Sequence, residues 1–129
     1  MTISLNPIGQ LALAERDVDR AEAFYGEAPG LRKLHRFGDL LFFDCAGVRL
    51  PIGKARDPDR FAPGTTIYFR CADIALTWRA LADRGVVFKD APHRIARMED
   101  HDLWMTLFDD PDGNPLALMQ EPPRDHQPR

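Results

Sequence analysis

Histidines and carboxylates are concentrated in one polar stretch of the second half of the chain: His93, Glu99, His101 and Asp102. A pair of histidines with carboxylates can bind zinc. The spacing matches no established zinc motif, so the alternative is a loop of solvated polar residues. Histidine and glutamate also serve as general acids and bases, which makes His35, Glu99 and His101 the candidate catalytic residues.

The chain has two cysteines, Cys45 and Cys71, and both lie inside strand-like segments. Neither has an obvious neighbouring base, so the sequence does not favour a thiolate nucleophile. Two cysteines in such positions are more typical of reduced core thiols than of a disulfide framework. We therefore expect a cytoplasmic protein.

Length and composition limit the classes of protein to consider. A chain of 129 residues is long enough for one compact domain, or for two small halves that share a core. The net charge is -3 and the 17 basic residues are scattered, so no basic stripe indicates a nucleic-acid partner. Apolar runs such as Leu40–Phe43 are too short to span a bilayer, and Met1–Pro7 lacks the features of a signal peptide.

In the first half, hydrophobic patterning predicts one strand, one helix and three further strands. Asp17 is a candidate N-cap for the helix because its carboxylate can accept a first-turn N–H, and Pro29-Gly30 ends it. The predicted strands are Ile8–Arg16, Leu31–Phe37, Leu40–Cys45 and Val48–Ile52.

The second half has the same order of elements. Asp73 is the candidate N-cap, and Gly85 suits the left-handed position that follows a helix. The predicted strands are Thr65–Cys71, a strand that starts at Val86–Lys89, Leu103–Phe108 and Leu116–Gln120. The last two are joined by a turn in which Gly113 supplies a positive φ.

The interval from the N-cap Asp17 to the N-cap Asp73 is nearly equal to the interval from Gly30 to Gly85, the two glycines that end the helices. Equal spacing of unlike sequences is what a duplicated βαβββ module leaves behind. We assign residues 8–53 to the first module, 54–64 to a linker, 65–120 to the second module and 121–129 to a frayed tail. Residues 90–102 are predicted to be an additional loop in the second module.

Several of these segments resemble the vicinal oxygen chelate superfamily, which includes glyoxalase I, bleomycin-resistance proteins and extradiol dioxygenases. The first module carries the run from Asp17 to Tyr25, then Gly30-Leu31, Leu41–Asp44 and Gly47–Leu50. The second carries Tyr68–Arg70, Ala72–Ile74, Arg84–Val86 and Asp110–Asn114. The resemblance covers roughly residues 8–120.

The resemblance implies an α+β fold in which the strands of two βαβββ modules wrap a cup around a small molecule. Members of this length commonly form homodimers. Enzymes of the superfamily hold a divalent metal with side chains from the first and fourth strands of each module. The equivalent positions here are Gln10, Pro51, Thr66 and Ala117, which predicts that the chain has no metal and no other cofactor.

Strand alternation from Gln10 predicts which side chains line the cup. Arg49 and Thr66 share its parity, as do Tyr68 and Met119, and one of the adjacent residues Trp104 and Met105 joins them. Small residues with an exposed aromatic ring and a few polar groups suit a flat, partly apolar ligand. The candidate substrate-binding residues are Gln10, Arg49, Thr66, Tyr68, Trp104 and Met119.

The resulting hypothesis is a metal-independent protein of the glyoxalase/bleomycin-resistance type that binds an aromatic or polycyclic small molecule and sequesters a toxic natural product. One alternative is a metal-independent lyase, isomerase or cyclase that uses the same cavity. A second is a metal-dependent glyoxalase-like or dioxygenase-like enzyme with relocated ligands. Ligand recovered unchanged after binding separates the first hypothesis from the enzymes.

Overall fold

The computed structural model describes residues 2–3, 5 and 8–125. The chain divides into two compact units, Met1–Ala62 and Pro63–Arg129. This division falls inside the segment 54–64, where the backbone forms a short 3₁₀ turn at Pro58–Arg60. None of the helices in the described ranges is long and apolar enough to cross a membrane.

The first unit is a four-stranded mixed sheet with one helix. In chain order the elements are β1 Leu13–Glu15, α1 Val18–Glu27, β2 Arg32–Phe37, β3 Leu40–Cys45 and β4 Val48–Lys54. The strands lie in the order β1-β4-β3-β2. β1 runs parallel to β4, and the other neighbours are antiparallel.

The second unit repeats this topology. Its elements are β5 Ile67–Arg70, α2 Ile74–Asp83, β6 His93–Arg97, β7 Asp102–Asp109 and β8 Pro115–Gln120. The strand order is β5-β8-β7-β6, again with one parallel pair, β5 and β8. The predicted fold class, α+β with two βαβββ modules, is confirmed.

Both helices begin at the aspartates that the sequence predicts as N-caps. Asp17 Oδ1 accepts a hydrogen bond from the Arg20 N–H at 3.0 Å, and Asp73 Oδ1 accepts one from the Leu76 N–H at 3.1 Å. These bonds satisfy backbone donors that the first helical turn leaves unpaired. Local side-chain chemistry therefore determines where each helix starts.

Each core lies between a helix and one face of its sheet. In the first unit Tyr25, Leu41 and Ile52 are fully buried, because alternate residues of β3 and β4 point toward α1. In the second unit Ile74 and Leu116 have the same role. The opposite face of each sheet does not pack against the helix of its unit.

Two strands differ from the sequence prediction. The first strand is shorter, since β1 covers Leu13–Glu15, and upstream of it Gln10 makes an isolated bridge to Arg49. The stretch predicted as a loop, residues 90–102, contains the edge strand β6, whereas Val86–Lys89 contributes only a bridge from Phe88 to Phe108 within the described residues. β6 is mostly exposed and three of its five residues are basic or histidine, which is typical of an edge strand and resembles the composition of a loop.

The turn between β7 and β8 is built around one buried carboxylate. Asp110 Oδ1 accepts hydrogen bonds from the N–H groups of Asp112 and Asn114 at 3.0 and 2.9 Å, and Oδ2 accepts one from Asn114 Nδ2 at 3.0 Å. Gly113 has a φ of +88°. The predicted turn and its positive φ are confirmed.

Candidate functional site

The first sheet has one face that α1 does not cover. We call it the open face of the first sheet and define it by five side chains that strand register places on one side. They are Gln10, His35, Phe37, Phe42 and Arg49. The register also places the charged residues Arg32 and Asp44 on this side. Because the aromatic and polar groups share one exposed surface, this face is the best candidate for ligand recognition in the first unit.

Gln10 and Arg49 form the polar end of this face. The Arg49 Nε donates a hydrogen bond to Gln10 Oε1 at 3.1 Å. The backbone fixes the same pair, since the Arg49 N–H bonds to Gly9 O at 3.0 Å and the Leu11 N–H bonds to Arg49 O at 2.9 Å. The two residues, predicted separately to line a site, are thus in direct contact.

Three aromatic rings lie beside this pair. The Arg49 Cζ is 5.8 Å from the centroid of Phe42. The ring of His35 is 4.6 Å from that of Phe42 and 5.0 Å from that of Phe37, centroid to centroid. Phe37 is 68% exposed, which is unusual for so large an apolar side chain. The sequence analysis missed both phenylalanines as site residues.

The placement of His35 depends on a bulge. The register of β2 against β3 shifts between Lys33 and His35, so one extra residue in β2 changes the alternation of its side chains. His35 consequently lies opposite Phe42 on the open face, while Lys33 lies on the other side, 3.4 Å from Glu22 of α1.

The second sheet also has a face turned away from its helix. Register places Tyr68, Met105, Ala117 and Met119 on it, and Tyr68 is 49% exposed. Thr66 comes just before β5 and is half-buried. This surface is mainly apolar, although Ala117 itself is fully buried.

Trp104 lies on the helix side of the second sheet. It pairs in register with Gln120, and the Gln120 Oε1 accepts a hydrogen bond from the Ile74 N–H of α2 at 2.9 Å. Adjacent strand residues point to opposite faces. The alternative between Trp104 and Met105 is therefore resolved by the register, which places Met105 beside Met119.

The candidate catalytic residues belong to different elements of the fold. His35 lies on the open face of the first sheet, whereas His101 and Glu99 belong to the connection between β6 and β7. The His101 ring contacts two carboxylates, Asp100 at 2.6 Å through Nδ1 and Glu121 at 3.0 Å through Nε2. The hydrogen bond from His101 and its charge lower the pKa of Asp100.

Asp102 fastens the segment that follows β8. Its side chain is nearly fully buried and accepts hydrogen bonds from Arg97 Nε and from the Asp125 N–H, both at 3.2 Å, and Arg94 lies 3.9 Å away. Burial acts to raise the pKa of Asp102, but these hydrogen bonds and the two arginine charges outweigh it, so the pKa is lowered. Residues 121–125 of the predicted frayed tail make contacts of this kind, and residues 126–129 lie outside the described part.

Replacing Asp102 by asparagine is expected to lower the melting temperature at pH 7, because the neutral amide loses the attraction to Arg97 and Arg94. The pKa of Asp102 is lower in the folded chain than in the unfolded one, so its stabilisation is present above about pH 4 and is lost as the pH falls through the folded pKa. The difference in melting temperature between wild type and variant should therefore shrink below about pH 4. Thermal scans from pH 7 to 3 measure this, with the exposed Asp39→Asn as control. A difference that persists unchanged at pH 3 contradicts the assignment.

Both cysteines are free thiols, as the sequence predicts. Burial raises the pKa of Cys45, and the charge of Asp44 adds to this. Burial also raises the pKa of Cys71, with a further increase from Asp73 and an opposing hydrogen bond from Thr77. A raised pKa keeps a thiol protonated and weakly nucleophilic.

The residues at the expected metal positions do not fit a divalent cation. The side-chain oxygen of Gln10 already accepts a hydrogen bond from a guanidinium, and a cation placed there would be repelled by that positive charge. Pro51 and Ala117 have no side-chain donor atoms. Across the described ranges, no group of three or more His, Cys, Asp or Glu side chains is arranged to hold a metal ion.

Solved structures with the same fold include a lactoylglutathione lyase from Agrobacterium tumefaciens, at 22% identity and a TM-score of 0.75, covering 91% of this chain and 95% of that chain. A glyoxalase family protein from Bacillus anthracis has 20% identity and a TM-score of 0.73, with coverage of 94% and 99%. An integron cassette protein from the mobile metagenome of the Halifax Harbour sewage outfall has 16% identity and a TM-score of 0.76, with coverage of 90% and 99%. No curated protein matches the chain.

The family model for the Glyoxalase/Bleomycin resistance protein/Dioxygenase superfamily matches residues 7–118. This match spans most of the chain and includes both βαβββ modules. It agrees with the repeated topology and with the resemblance of the two N-capped helices and the final turn. The chain belongs to the Glyoxalase/Bleomycin resistance protein/Dioxygenase superfamily.

Proposed function

We propose that this protein binds an aromatic or polycyclic small molecule without a metal ion, and that the ligand lies on the open face of the first sheet. One observation carries the proposal: a guanidinium fixed by Gln10 lies at the edge of an exposed aromatic surface formed by Phe42, His35 and Phe37. Flat ligands stack on such surfaces, and a few polar groups orient them.

The metal-independent part of the proposal is supported by the donor set. Superfamily enzymes that activate substrate oxygens do so through a divalent cation, and Pro51 and Ala117 offer no ligands. Sequestration of a toxic natural product is the use that this chemistry supports best, because a binding protein needs shape and hydrogen bonding but no Lewis acid.

The face of the second sheet defined by Tyr68, Met105, Ala117 and Met119 is proposed as an apolar contact surface for small molecules in its own right. Methionine side chains adapt to irregular apolar ligands. Binding to this face is tested separately, with Met119→Ala, so that the two surfaces are not confused.

A metal-independent lyase, isomerase or cyclase is the second candidate function. It is favoured by the position of His35, which lies on the same face as Gln10 and Arg49 and is exposed. A histidine beside a bound ligand can act as a general acid or base. Its test is the chemical identity of the ligand after binding.

The proposal places the protein in the reducing cytoplasm, because its two cysteines are free thiols. It also includes homodimerisation, which the family resemblance implies. Light scattering during gel filtration measures the assembly state.

The Gln10→Ala variant is expected to bind an aromatic ligand at least about threefold more weakly, because Arg49 loses the group that fixes its Nε. Its melting temperature should match that of wild type, since Gln10 is exposed. Isothermal calorimetry with a panel of polycyclic compounds measures the affinity, and mass spectrometry of the recovered ligand shows whether it is changed.

Unchanged affinity in Gln10→Ala would remove Gln10 from the site. A changed ligand supports the enzymatic alternative, and an unchanged one supports binding alone. The matched control is Lys33→Ala, which removes a basic side chain from the opposite face of the same sheet.

A further inference from the structure

We propose that the ligand of the open face carries an oxyanion attached to its aromatic ring, and that Arg49 supplies the fixed positive charge that binds it. The inference rests on the proposed function and adds the chemical class of the ligand, an aryl carboxylate. Gln10 acts in it as a positioning residue for Arg49.

The first argument concerns which guanidinium atoms are available. Gln10 Oε1 accepts the hydrogen bond of Arg49 Nε, which leaves the two Nη groups for other partners. A guanidinium that offers two parallel N–H donors is matched to both oxygens of a carboxylate. Within the described ranges the Arg49 side chain forms no ion pair and no other hydrogen bond.

The second argument concerns the neighbouring charges. Asp44 lies opposite Arg49 in the register of β3 and β4 and is the nearest acidic residue in the strand pairing. Its carboxylate instead lies 3.6 Å from Arg32 and accepts a hydrogen bond from the Gly47 N–H at 3.2 Å. The Asp44 carboxylate is thus engaged by Arg32 and by the Gly47 N–H, whereas the Arg49 guanidinium has no acidic partner within the described residues.

The third argument concerns preorganisation. Backbone hydrogen bonds on both sides of Arg49 fix its main chain, and Gln10 and the ring of Phe42 restrict its side chain. A cation held in place before binding loses less side-chain entropy when the ligand arrives. A flexible surface lysine or arginine has no such advantage, and its ion pairs contribute little.

The fourth argument concerns the rest of the ligand. The ring of Phe42 lies next to the guanidinium and packs against the ring of His35, with 4.6 Å between the centroids and 35° between the planes. A fused ring system bearing a carboxylate can therefore place its anionic end at Arg49 and its flat surface on these rings. The guanidinium provides a fixed positive charge on a face where the side chains at the expected metal positions do not fit a divalent cation.

The test uses two probes that share one ring system, naphthalene-2-carboxylate and naphthalene-2-carboxamide. Calorimetry and heteronuclear NMR titrations at low ionic strength measure both dissociation constants at pH 7. Wild type is expected to bind the carboxylate at least about tenfold more tightly than the amide, a ratio that corresponds to about 1.4 kcal/mol. Arg49→Met keeps the length of the side chain and should bind the two probes equally.

Gln10→Glu tests positioning separately from structure. The glutamate has the same shape and keeps an acceptor for Arg49, but its charge competes with the ligand. The preference for the carboxylate should disappear, because the charge of the introduced glutamate offsets that of Arg49. Lys33→Met removes a positive charge from the opposite face of the same sheet and should leave the wild-type preference intact.

The possible results distinguish failure of the oxyanion inference from failure of the proposed binding function. If wild type binds both probes equally, or if Arg49→Met keeps the preference, the oxyanion inference is wrong and the proposed binding function stands. If wild type binds neither naphthalene probe but binds neutral polycyclic compounds, the inference is also wrong. If it binds no aromatic compound at millimolar concentration, the proposed function fails with it.

Discussion

Replacing Asp110 by alanine is expected to lower the free energy of unfolding by about 3 kcal/mol, because a buried carboxylate that accepts three hydrogen bonds is lost. The donors on Asp112 and Asn114 remain in a turn where water does not easily replace the carboxylate. Urea unfolding followed by tryptophan fluorescence measures this, since both tryptophans lie in the unit that contains the turn.

Two further variants give this prediction its controls. Asp110→Asn keeps one acceptor oxygen and should lose less stability than Asp110→Ala. Asp39→Ala removes an exposed carboxylate whose ion pair with Arg36 is 3.8 Å long, and exposed pairs contribute about 0–1 kcal/mol. A loss below about 1 kcal/mol in Asp110→Ala would show that the turn does not depend on this carboxylate.

Gly113→Val is expected to reduce stability by about 2 kcal/mol, because a β-branched residue is strained at a φ of +88°. Crowding does not cause this effect, since a Cβ at Gly113 would meet nothing within 4 Å. The same urea titration measures the loss, and Gly113→Asn should cost less because asparagine tolerates positive φ better.

Gly26→Ala is the matched control for the added Cβ. Gly26 lies within α1, and a Cβ there also meets nothing within 4 Å. Alanine favours helical conformations over glycine, so this variant should gain about 0.5–1 kcal/mol. If Gly113→Val melts like wild type, the backbone of the turn is not what the structure shows.

Local chemistry explains which elements the sequence predicts well. The N-caps Asp17 and Asp73 and the turn at Gly113 each depend on residues within four positions of one another. Short stretches of sequence therefore determine the hydrogen bonds that define these features. The repeated order of elements then follows from their spacing.

Contacts between strands explain what the sequence does not predict. Strand β6 is stabilised through Arg97 and Arg94, whose partner Asp102 belongs to the neighbouring strand. The contact between Gln10 and Arg49 joins residues 39 positions apart. Each of these pairings depends on sheet register, which a single sequence determines only weakly.

Phe37 was missed for a related reason. Simple alternation from Arg32 would place Leu34 and Arg36 on the open face. The shift between Lys33 and His35 places His35 and Phe37 there instead. An extra residue in an edge strand leaves little trace in composition or periodicity.

The same irregularity recurs in the second unit, where the register of β6 shifts between Arg94 and Ala96. The edge strands β2 and β6 thus each contain one extra residue near the middle, where the alternation of side chains shifts. Deleting one residue there would exchange which side chains point away from the helix and which point toward it, while the inner strands keep theirs. Insertions and deletions at these two points consequently alter the exposed surface of each sheet without any substitution in the packed interior.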